Sequence, residues 1–301
     1  MKILISGASG LIGSALQHAL MVAGHHVVVL VRDQKKISEQ SVFWDPENGV
    51  LDPQALQGVD AVINLAGDNL SQGRWSKKKK RAVLNSRVMA TKTLIGAMSR
   101  CQSSPKVLIN ASAVGIYGGR GDEICTEATS VGAGFLADVC RQWEEAAAPA
   151  MDNGIRTVFL RTGVVLSSQG GALAKMLPLF KLGLGGNLGT GKQYLSWVAI
   201  EDVISIILFA LVRDDLKGAI NVVAPNAVTN AEFTKILGHV LHRPTVLPVP
   251  AFMLRWVVGK EMADELLLSS IRAEPLKLEM LNYEFKYPYL KDALKHYTGD
   301  S

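Results

Sequence analysis

Three glycines near the amino terminus have the spacing that brings a polypeptide backbone close to a pyrophosphate. Gly7, Gly10 and Gly13 form the segment GASGLIG, which follows an apolar run and precedes a helical pattern. Glycine lets the chain turn tightly and approach phosphate oxygens, and the free N–H groups of the following helix attract negative charge. In this strand–turn–helix context the spacing predicts a dinucleotide-binding loop, and a tight turn without a ligand is the alternative.

The end of the second predicted strand carries a residue that would choose between two dinucleotides. Arg32 lies in the sequence LVRD, where an acidic side chain would bind the ribose hydroxyls of NAD. A guanidinium at this position can bind the 2′-phosphate of NADP through two hydrogen bonds. We therefore expect NADP(H) as the cofactor. Because Asp33 is adjacent, a surface arginine is the alternative interpretation.

The elements that must position these residues are predicted by hydrophobic periodicity. Short β-branched runs alternate with longer helical patterns, which is typical of a doubly wound α/β Rossmann fold with a parallel sheet. The predicted strands are 2–6, 26–31, 61–65, 107–111 and 157–160, and the predicted helices are 11–23, 76–100, 135–152 and 201–212.

A smaller, mostly helical carboxyl-terminal lobe is expected after this pattern changes. Residues 166–197 are rich in glycine, and the sequence from about 225 onward has mainly helical periodicity, with Thr229 and Glu232 matching a capping box. We assign residues 1–165 and 198–224 to the NADP-binding domain. Residues 166–197 and 225–301 form the smaller substrate or interaction lobe.

Composition narrows the class of protein. The chain has 301 residues, of which 48% are hydrophobic, and its formal net charge is +5. The three cysteines lack metal or redox spacing, and no apolar stretch has the length of a membrane span, so we expect a cytoplasmic protein without a membrane partner. The basic run at 75–81 is interpreted as a solvated helix start rather than a nucleic-acid site. His239 and His242 lack a third ligand, so no metal is expected.

Several further segments carry a family resemblance. NLAG at 64–67, SAVGIYG at 112–118, FLRTGVV at 159–165 and YLSWVAIEDV at 194–203 occur in the order used by extended short-chain dehydrogenase/reductases, which the chain resembles. RW at 74–75, GGALAKMLPLFKLGLGG at 170–186 and APNAVTNAEF at 224–233 are similar to an atypical "epimerase family" subgroup of that superfamily. Members of this subgroup carry nucleotide-sugar-epimerase or cell-division-related labels.

The resemblance implies a set of cofactor-binding residues. Five residues of the glycine loop would hold the pyrophosphate, Arg32 the 2′-phosphate, and three residues after the third predicted strand the adenosine side, while two arginines would lie near the cofactor. In this order they are Gly7, Ser9, Gly10, Leu11 and Ile12; Arg32; Leu65, Ala66 and Gly67; and Arg87 and Arg161.

The catalytic residues implied by the resemblance are absent. Superfamily members use a tyrosine as proton donor or acceptor and a lysine four positions later that lowers its pKa. The matching helix begins near Phe135 or Leu136 in GFLADVCRQWEE, and neither phase supplies a tyrosine or a lysine. Arg87 replaces the supporting asparagine and could supply the missing positive charge. We expect the helix to remain as scaffold, with Glu144 or Glu145 toward solvent.

Two replacements for the missing acid are weighed against structural roles. Ser112 could polarise a carbonyl, or could be a hydrogen-bonded turn serine. Tyr117 could donate a proton, or could be a packed aromatic residue. Asp122 and Glu123 on a glycine-flanked loop are interpreted as solvated, Asp202 as a helix anchor, and GNLGTGKQ at 186–193 as a loop over a cleft rather than a triphosphate site.

The sequence thus leaves two classes of function open. The first is an NADP-dependent oxidoreductase or nucleotide-sugar-type epimerase without the usual tyrosine–lysine pair, acting on an unknown small molecule. The second is a non-catalytic NADP(H)-binding regulator or redox sensor, since fold alone does not decide function. A homodimer is compatible with either class.

Overall fold

The computed structural model describes residues 1–299, and its elements follow the predicted alternation closely. The strands are β1 Lys2–Ser6, β2 His26–Val31, β3 Ser41–Asp45, β4 Val50–Leu51, β5 Ala61–Asn64, β6 Val107–Ala113, β7 Ile124–Cys125, β8 Arg156–Thr162, β9 Val164–Leu166, β10 Tyr194–Leu195, β11 Trp197–Ala199, β12 Gly218–Val222, β13 Val228–Thr229 and β14 Arg272–Ala273.

Helices separate most of these strands. They are α1 Leu11–Val22, α2 Lys77–Met98, α3 Phe135–Asp152, α4 Gly171–Lys181, α5 Ile200–Val212, α6 Asn230–Val240, α7 Ala251–Val258, α8 Lys260–Met262, α9 Leu276–Met280 and α10 Leu290–Thr298, with a π-helical turn at Ala263–Leu267 after α8.

The main sheet has eight strands in the order β12-β8-β6-β5-β1-β2-β3-β4, and every neighbouring pair is parallel except β3 and β4. The chain runs outward from β1 through β2 to β3, then returns through β5 on the other side of β1. The strand order therefore reverses between β1 and β5, and ligands of doubly wound sheets bind at such a point, outside the carboxyl ends of the strands. The predicted Rossmann fold is confirmed.

Helices cover both faces of this sheet. On one face α1 and α5 pack over β1, β5 and β8, with Leu16, Leu20 and Ile207 fully buried. On the other face α2 and α3 contribute Leu94 and Ala147 to a second core. Because the strands are buried on both faces, they read as continuous apolar runs in the sequence.

A third hydrophobic core joins the glycine-rich segment 166–197 to the helices that follow α5. Leu173 and Phe180 of α4 pack with Phe233 of α6 and Leu294 of α10 around Trp197. The helical carboxyl-terminal lobe is thus present, and the capping box formed by Thr229 and Glu232 opens α6. The exact division of the chain between two domains stays a prediction, and its last two residues, 300–301, lie outside the described part.

The carboxyl-terminal segment also returns to the Rossmann domain. Leu278 is buried in the core between α1, α5 and the sheet, and Tyr283 and Phe285 pack against that core. The fully buried Asp202 of α5 accepts hydrogen bonds from the backbone N–H groups of Lys286 and Tyr287 at 2.7 and 3.0 Å. Asp202 is therefore an anchor, as the sequence predicts, and it attaches the end of the chain to α5.

Candidate functional site

The glycine loop has the geometry that a close approach to phosphate requires. Gly7 has a positive φ of 72°, and a Cβ on this residue would lie 2.5 Å from the Leu65 carbonyl oxygen. A Cβ on Gly13 would lie 2.3 Å from the Gly7 carbonyl oxygen, so only glycine lets α1 pack this closely onto the turn. Gly10 caps α1 without a side-chain hydrogen bond, and the first turn of α1 holds no acidic residue. The helix N-terminus is consequently open to an anion.

A cavity of about 460 Å³ begins at this loop and extends along the carboxyl ends of the central strands. Of the predicted cofactor residues, the cavity is lined by Gly7, Gly10, Leu11, Ile12, Leu65 and Arg87. Ser9, Arg32, Ala66, Gly67 and Arg161 are not among its lining residues. Ser9 and Gly67 are exposed at its margin, and Arg32 is exposed immediately after β2.

Arg87 is a nearly buried cation on the wall of this cavity. Its guanidinium lies over the Trp143 ring at 5.0 Å and donates through Nη1 to the carbonyl oxygens of Val83 and Asp68. Burial lowers the pKa of Arg87, although arginine stays charged at any physiological pH. A Cβ on Gly67 would be 3.1 Å from the guanidinium carbon, so the two residues predicted on the cofactor side do lie together.

The α3 side of the cavity is apolar at the place where the family resemblance implies a tyrosine and a lysine. Leu136 and Cys140, four residues apart on α3, line the cavity together with Val139. Burial raises the pKa of the Cys140 thiol to about 12, so this group stays protonated and uncharged near neutral pH. Helix α3 contains neither a tyrosine nor a lysine that could take the acid's place.

A polar chain reaches the cavity at Ser112 instead. Ser112 lines the cavity, and its hydroxyl donates to Glu144 Oε1 at 2.7 Å. Both Glu144 oxygens also accept from Arg161, whose Nε and Nη2 lie 2.9 Å away in a two-pronged pair. Although burial acts to lower the pKa of Arg161, its bonds to Glu144 raise it, so the guanidinium stays charged.

Arg161 is therefore used inside the protein. Its remaining donor, Nη1, contacts the Tyr117 hydroxyl at 3.1 Å and the Glu127 carbonyl oxygen at 3.2 Å. The guanidinium supports Glu144 and does not line the cavity, which differs from the expectation that Arg161 lies beside the cofactor. The reason is burial: at 8% exposure this cation needs internal acceptors, and Glu144 supplies two.

Tyr117 takes the structural role that was its alternative. It is fully buried and absent from the cavity lining, and its hydroxyl donates to Asn221 Oδ1 at 2.6 Å. Burial raises the pKa of Tyr117, which makes it harder to ionise. This geometry argues against proton transfer by Tyr117 and leaves Ser112 as the one predicted acid–base candidate that the structure brings to the cavity.

Glu144 is the residue that the sequence-based prediction missed. The prediction placed Glu144 or Glu145 toward solvent without choosing between them; Glu145 is exposed and pairs with Arg141, whereas Glu144 turns inward. Three consecutive residues, WEE, can satisfy a helical pattern in either phase, so local periodicity could not separate the two. The presence of Arg161 in a buried strand was the available signal, because a charged side chain is rarely buried without a partner and a carboxylate is the usual one.

The carboxyl-terminal lobe closes one side of the cavity. Glu265, in the π-helical turn, accepts from the backbone N–H groups of Phe135 and Leu136 at 2.9 and 2.8 Å and so caps α3. Arg74 donates to the carbonyl oxygens of Trp256 and Val257 at 2.6 and 3.1 Å. These contacts tie the lobe to the start of α2 and α3 over the ligand cavity.

The remaining charged segments singled out in the sequence are exposed or form ion pairs. Asp122 and Glu123 are exposed, and Glu123 lies 3.5 Å from Arg120. The basic run continues into α2, where Lys79 and Lys80 pair with Asp68 and Glu261. Residues 1–299 contain no group of three or more metal-ligating side chains, and within the same range no helix has both the length and the apolarity of a bilayer span.

Comparison with known proteins shows the family to which the chain is related. Residues 3–223 match the NAD dependent epimerase/dehydratase family, and residues 249–297 match a domain of unknown function. The chain is 46% identical over 294 residues to an epimerase family protein of Mycobacterium bovis, Mb2239, covering 98% of this chain and 96% of the relative.

Two solved structures extend the likeness to the whole chain. The human epimerase family protein SDR39U1, solved with NADPH, superposes with a TM-score of 0.92 at 32% identity and full coverage of both chains. A protein of Corynebacterium glutamicum described as a nucleoside-diphosphate sugar epimerase superposes with a TM-score of 0.83 at 38% identity, covering all of this chain and 59% of that one. The resemblance drawn from the sequence motifs is confirmed.

Proposed function

The chain belongs to the NAD-dependent epimerase/dehydratase family, and we propose that it binds NADP(H) at the carboxyl edge of its main sheet. The observation that carries this proposal is the open N-terminus of α1 beneath a loop that only glycine at positions 7 and 13 permits. The pyrophosphate would meet the free N–H groups of α1. Leu65 and the Arg87–Gly67 contact would border the adenosine side.

Arg32 supports NADP(H) over NAD(H). It follows β2 directly, beside the glycine loop that follows the adjacent parallel strand β1. Among the residues that the structure describes, no carboxylate lies within 4 Å of its guanidinium, so its donors are available. A 2′-phosphate would satisfy two of them at once.

We infer that the reaction is an alcohol–carbonyl interconversion in which Ser112 and Glu144 replace the tyrosine–lysine pair. The bound dinucleotide would supply hydride transfer. In the oxidising direction the substrate O–H donates to Ser112 Oγ while the Ser112 proton passes to Glu144 Oε1, leaving a carbonyl and a protonated carboxyl. Glu144 Oε1 already accepts the Ser112 hydroxyl and its carboxylate is fixed by Arg161, so it is placed to receive the Ser112 proton.

A non-catalytic NADP(H)-binding role is the second candidate. Two observations favour it: the apolar wall formed by Leu136 and Cys140, and the exposed apolar face of α7, where Phe252 and Trp256 are 69% and 79% exposed. Large contiguous apolar patches on a protein surface mark interaction sites. A regulator would use the cofactor to set the position of this lobe. A homodimer and a cytoplasmic location stay predictions under either function.

The test of the proposed function is calorimetric titration of the full chain with NADPH and NADH. We expect NADPH to bind, and Arg32→Ala to weaken that binding by about ten- to a hundredfold, as loss of a two-pronged phosphate contact would, while NADH binding stays unchanged. Arg100→Ala, an exposed arginine at the end of α2 toward the amino edge of the sheet, is the matched control. Failure of both dinucleotides to bind would refute the proposal.

The two candidate functions separate on turnover. NADPH consumption with a panel of carbonyl compounds, or NADP⁺ reduction with alcohols, is expected for the enzyme and should fall by about a hundredfold in Ser112→Ala, the usual scale for an acid–base group. NADPH binding should be kept in that variant. Tight NADPH binding with no turnover on a broad panel would favour the regulator.

A further inference from the structure

The charges around the cavity limit what can bind beside the cofactor. Among the residues that line it, only Arg87 and Glu265 carry a charge. Arg87 lies on the side of Gly67 and Leu65, where the dinucleotide is proposed to bind. The one charged group left for a substrate is therefore the Glu265 carboxylate.

Glu265 occupies the second anion-attracting position of the site. The N-terminus of α3 opens into the cavity, and its first free N–H groups, those of Phe135 and Leu136, donate to the two Glu265 oxygens. A helix N-terminus can stabilise one carboxylate or phosphate at this place. Because the protein's own carboxylate fills it, a substrate anion finds repulsion there instead of attraction.

Arg272 and Lys192 lie on segments next to this part of the cavity. Arg272 lies over the Tyr194 ring at 5.2 Å and within 3.8 Å of Glu274. Lys192 and Asp122 both line a separate depression of about 360 Å³. This depression lies on the other side of the segment 268–270. Neither cation lines the main cavity.

The rest of the substrate end is uncharged and mainly apolar. Leu70, Leu136, Leu195, Leu266 and Ile271 line it, and Ser112 and Ser269 contribute hydroxyl groups. A diphosphate bound here would lose its hydration without gaining the charge-assisted hydrogen bonds that arginine or a free helix N-terminus provides. An uncharged apolar body with one oxygen at Ser112 fits these walls without that cost.

We propose that the substrate is a neutral alcohol or carbonyl compound with a largely apolar body, and that the site rejects nucleoside diphosphate sugars. The proposal rests on the proposed function, because it places the dinucleotide along the glycine loop and the substrate oxygen at Ser112. Glu265 is a specificity-determining residue: it discriminates against negative charge in the substrate.

The experiment measures binding to the full chain that has first been saturated with NADP⁺. Three probes are titrated calorimetrically: 4-methylcyclohexanone, its anionic counterpart 4-oxocyclohexanecarboxylate, and UDP-glucose. We expect the neutral ketone to bind at least about tenfold more tightly than the anionic ketone, and UDP-glucose to give no heat of binding. Glu265→Gln keeps the side-chain shape and removes the charge, so it should reduce the neutral-over-anionic preference by about three- to tenfold.

The outcomes distinguish this proposal from the proposed function. If NADP⁺ itself does not bind, the proposed function fails before the probes are added. If NADP⁺ binds and the anionic ketone binds as well as the neutral ketone, or no ketone binds at all, the substrate assignment is overturned. Lys192→Ala locates any UDP-glucose binding. Binding that persists in this variant would place the sugar nucleotide in the main cavity and overturn the assignment, whereas binding lost in it would lie in the separate depression and leave the assignment standing. The wild-type preference decides the matter even if Glu265→Gln does not fold.

Discussion

Glu144 shows how a single carboxylate can define both the chemistry and the stability of this site. Its oxygens serve Ser112 and Arg161 together, at 2.7 to 2.9 Å, and the side chains of Glu144 and Arg161 are only 14% and 10% exposed. A buried guanidinium that loses its partner keeps its desolvation cost. Breaking the pair would therefore cost more free energy than the attraction between the two charges contributes, because an unpaired charge would stay buried.

We predict that Glu144→Gln lowers the free energy of unfolding by about 3–5 kcal/mol, the usual cost of removing one member of a buried pair. Urea denaturation monitored by tryptophan fluorescence measures the change. Glu145→Gln is the matched control on the next position of α3; its exposed pair with Arg141 predicts a loss of about 0.5 kcal/mol or less. Equal losses in the two variants would contradict the buried role of Glu144.

At the residue level, the sequence predicts contacts between near neighbours and misses contacts between distant ones. The role of Gly7, Gly10 and Gly13 could be predicted because the whole motif lies within one seven-residue segment. Ser112 reaches Glu144 across 32 positions, and Glu144 reaches Arg161 across 17, so only the folded sheet brings them together. The motif containing Tyr117 is recognisable, but which way its hydroxyl points depends on Asn221, 104 positions away.

At the scale of elements, the position of α1 depends on its close packing against the glycine loop that precedes it. A Cβ at Gly13 would lie 2.3 Å from the Gly7 carbonyl oxygen. That oxygen belongs to the backbone, which cannot rotate away as a side chain can. Any side chain there must push α1 from the sheet and disturb the N–H groups proposed to face the pyrophosphate. The fold and the cofactor site therefore share one constraint.

We predict that Gly13→Ala destabilises the protein by about 1–3 kcal/mol, as overpacking does, and weakens NADPH binding. Gly96→Ala is the control: Gly96 lies inside α2, and a Cβ there has open space around it. That variant should gain up to about 1 kcal/mol from better helix propensity. Thermal unfolding and NADPH titration of both variants give the comparison, and a neutral Gly13→Ala would remove the packing argument.

Strong periodicity made most elements predictable, and weaker patterns hid the rest. The apolar runs of β1, β2 and β6 and the helical pattern of α3 were all placed within a few residues. The prediction passed over β3 and β12, since SVFWD and GAINV are short and mix polar residues with apolar ones. It also passed over α4, which lies in the glycine-rich segment and contains Pro178; burial of Leu173, Leu177 and Phe180 stabilises it.

At the scale of the whole molecule, the two parts of the chain are fastened to each other at several points. Trp197 lies at the centre of the lobe core directly before α5 of the Rossmann domain, and Leu278 of the lobe packs into the Rossmann core. Arg74 and Glu265 add contacts on the cavity side. Such interlocking predicts that the parts unfold together, in one cooperative transition.

Asp202 is the residue at which this cooperativity can be tested. Its fully buried carboxylate accepts the backbone N–H groups of Lys286 and Tyr287, and the segment that follows carries α10 into the lobe core. Asp202→Ala removes the acceptor of two partly buried N–H donors and opens space at a fully buried side chain, so we predict a loss of about 2–5 kcal/mol in a single transition. The exposed Asp152→Ala should change stability by about 0.5 kcal/mol or less. Two separate transitions in calorimetric unfolding, with only the later one unaffected by Asp202→Ala, would instead mean that the lobe is an independent unit held to α5 by local contacts.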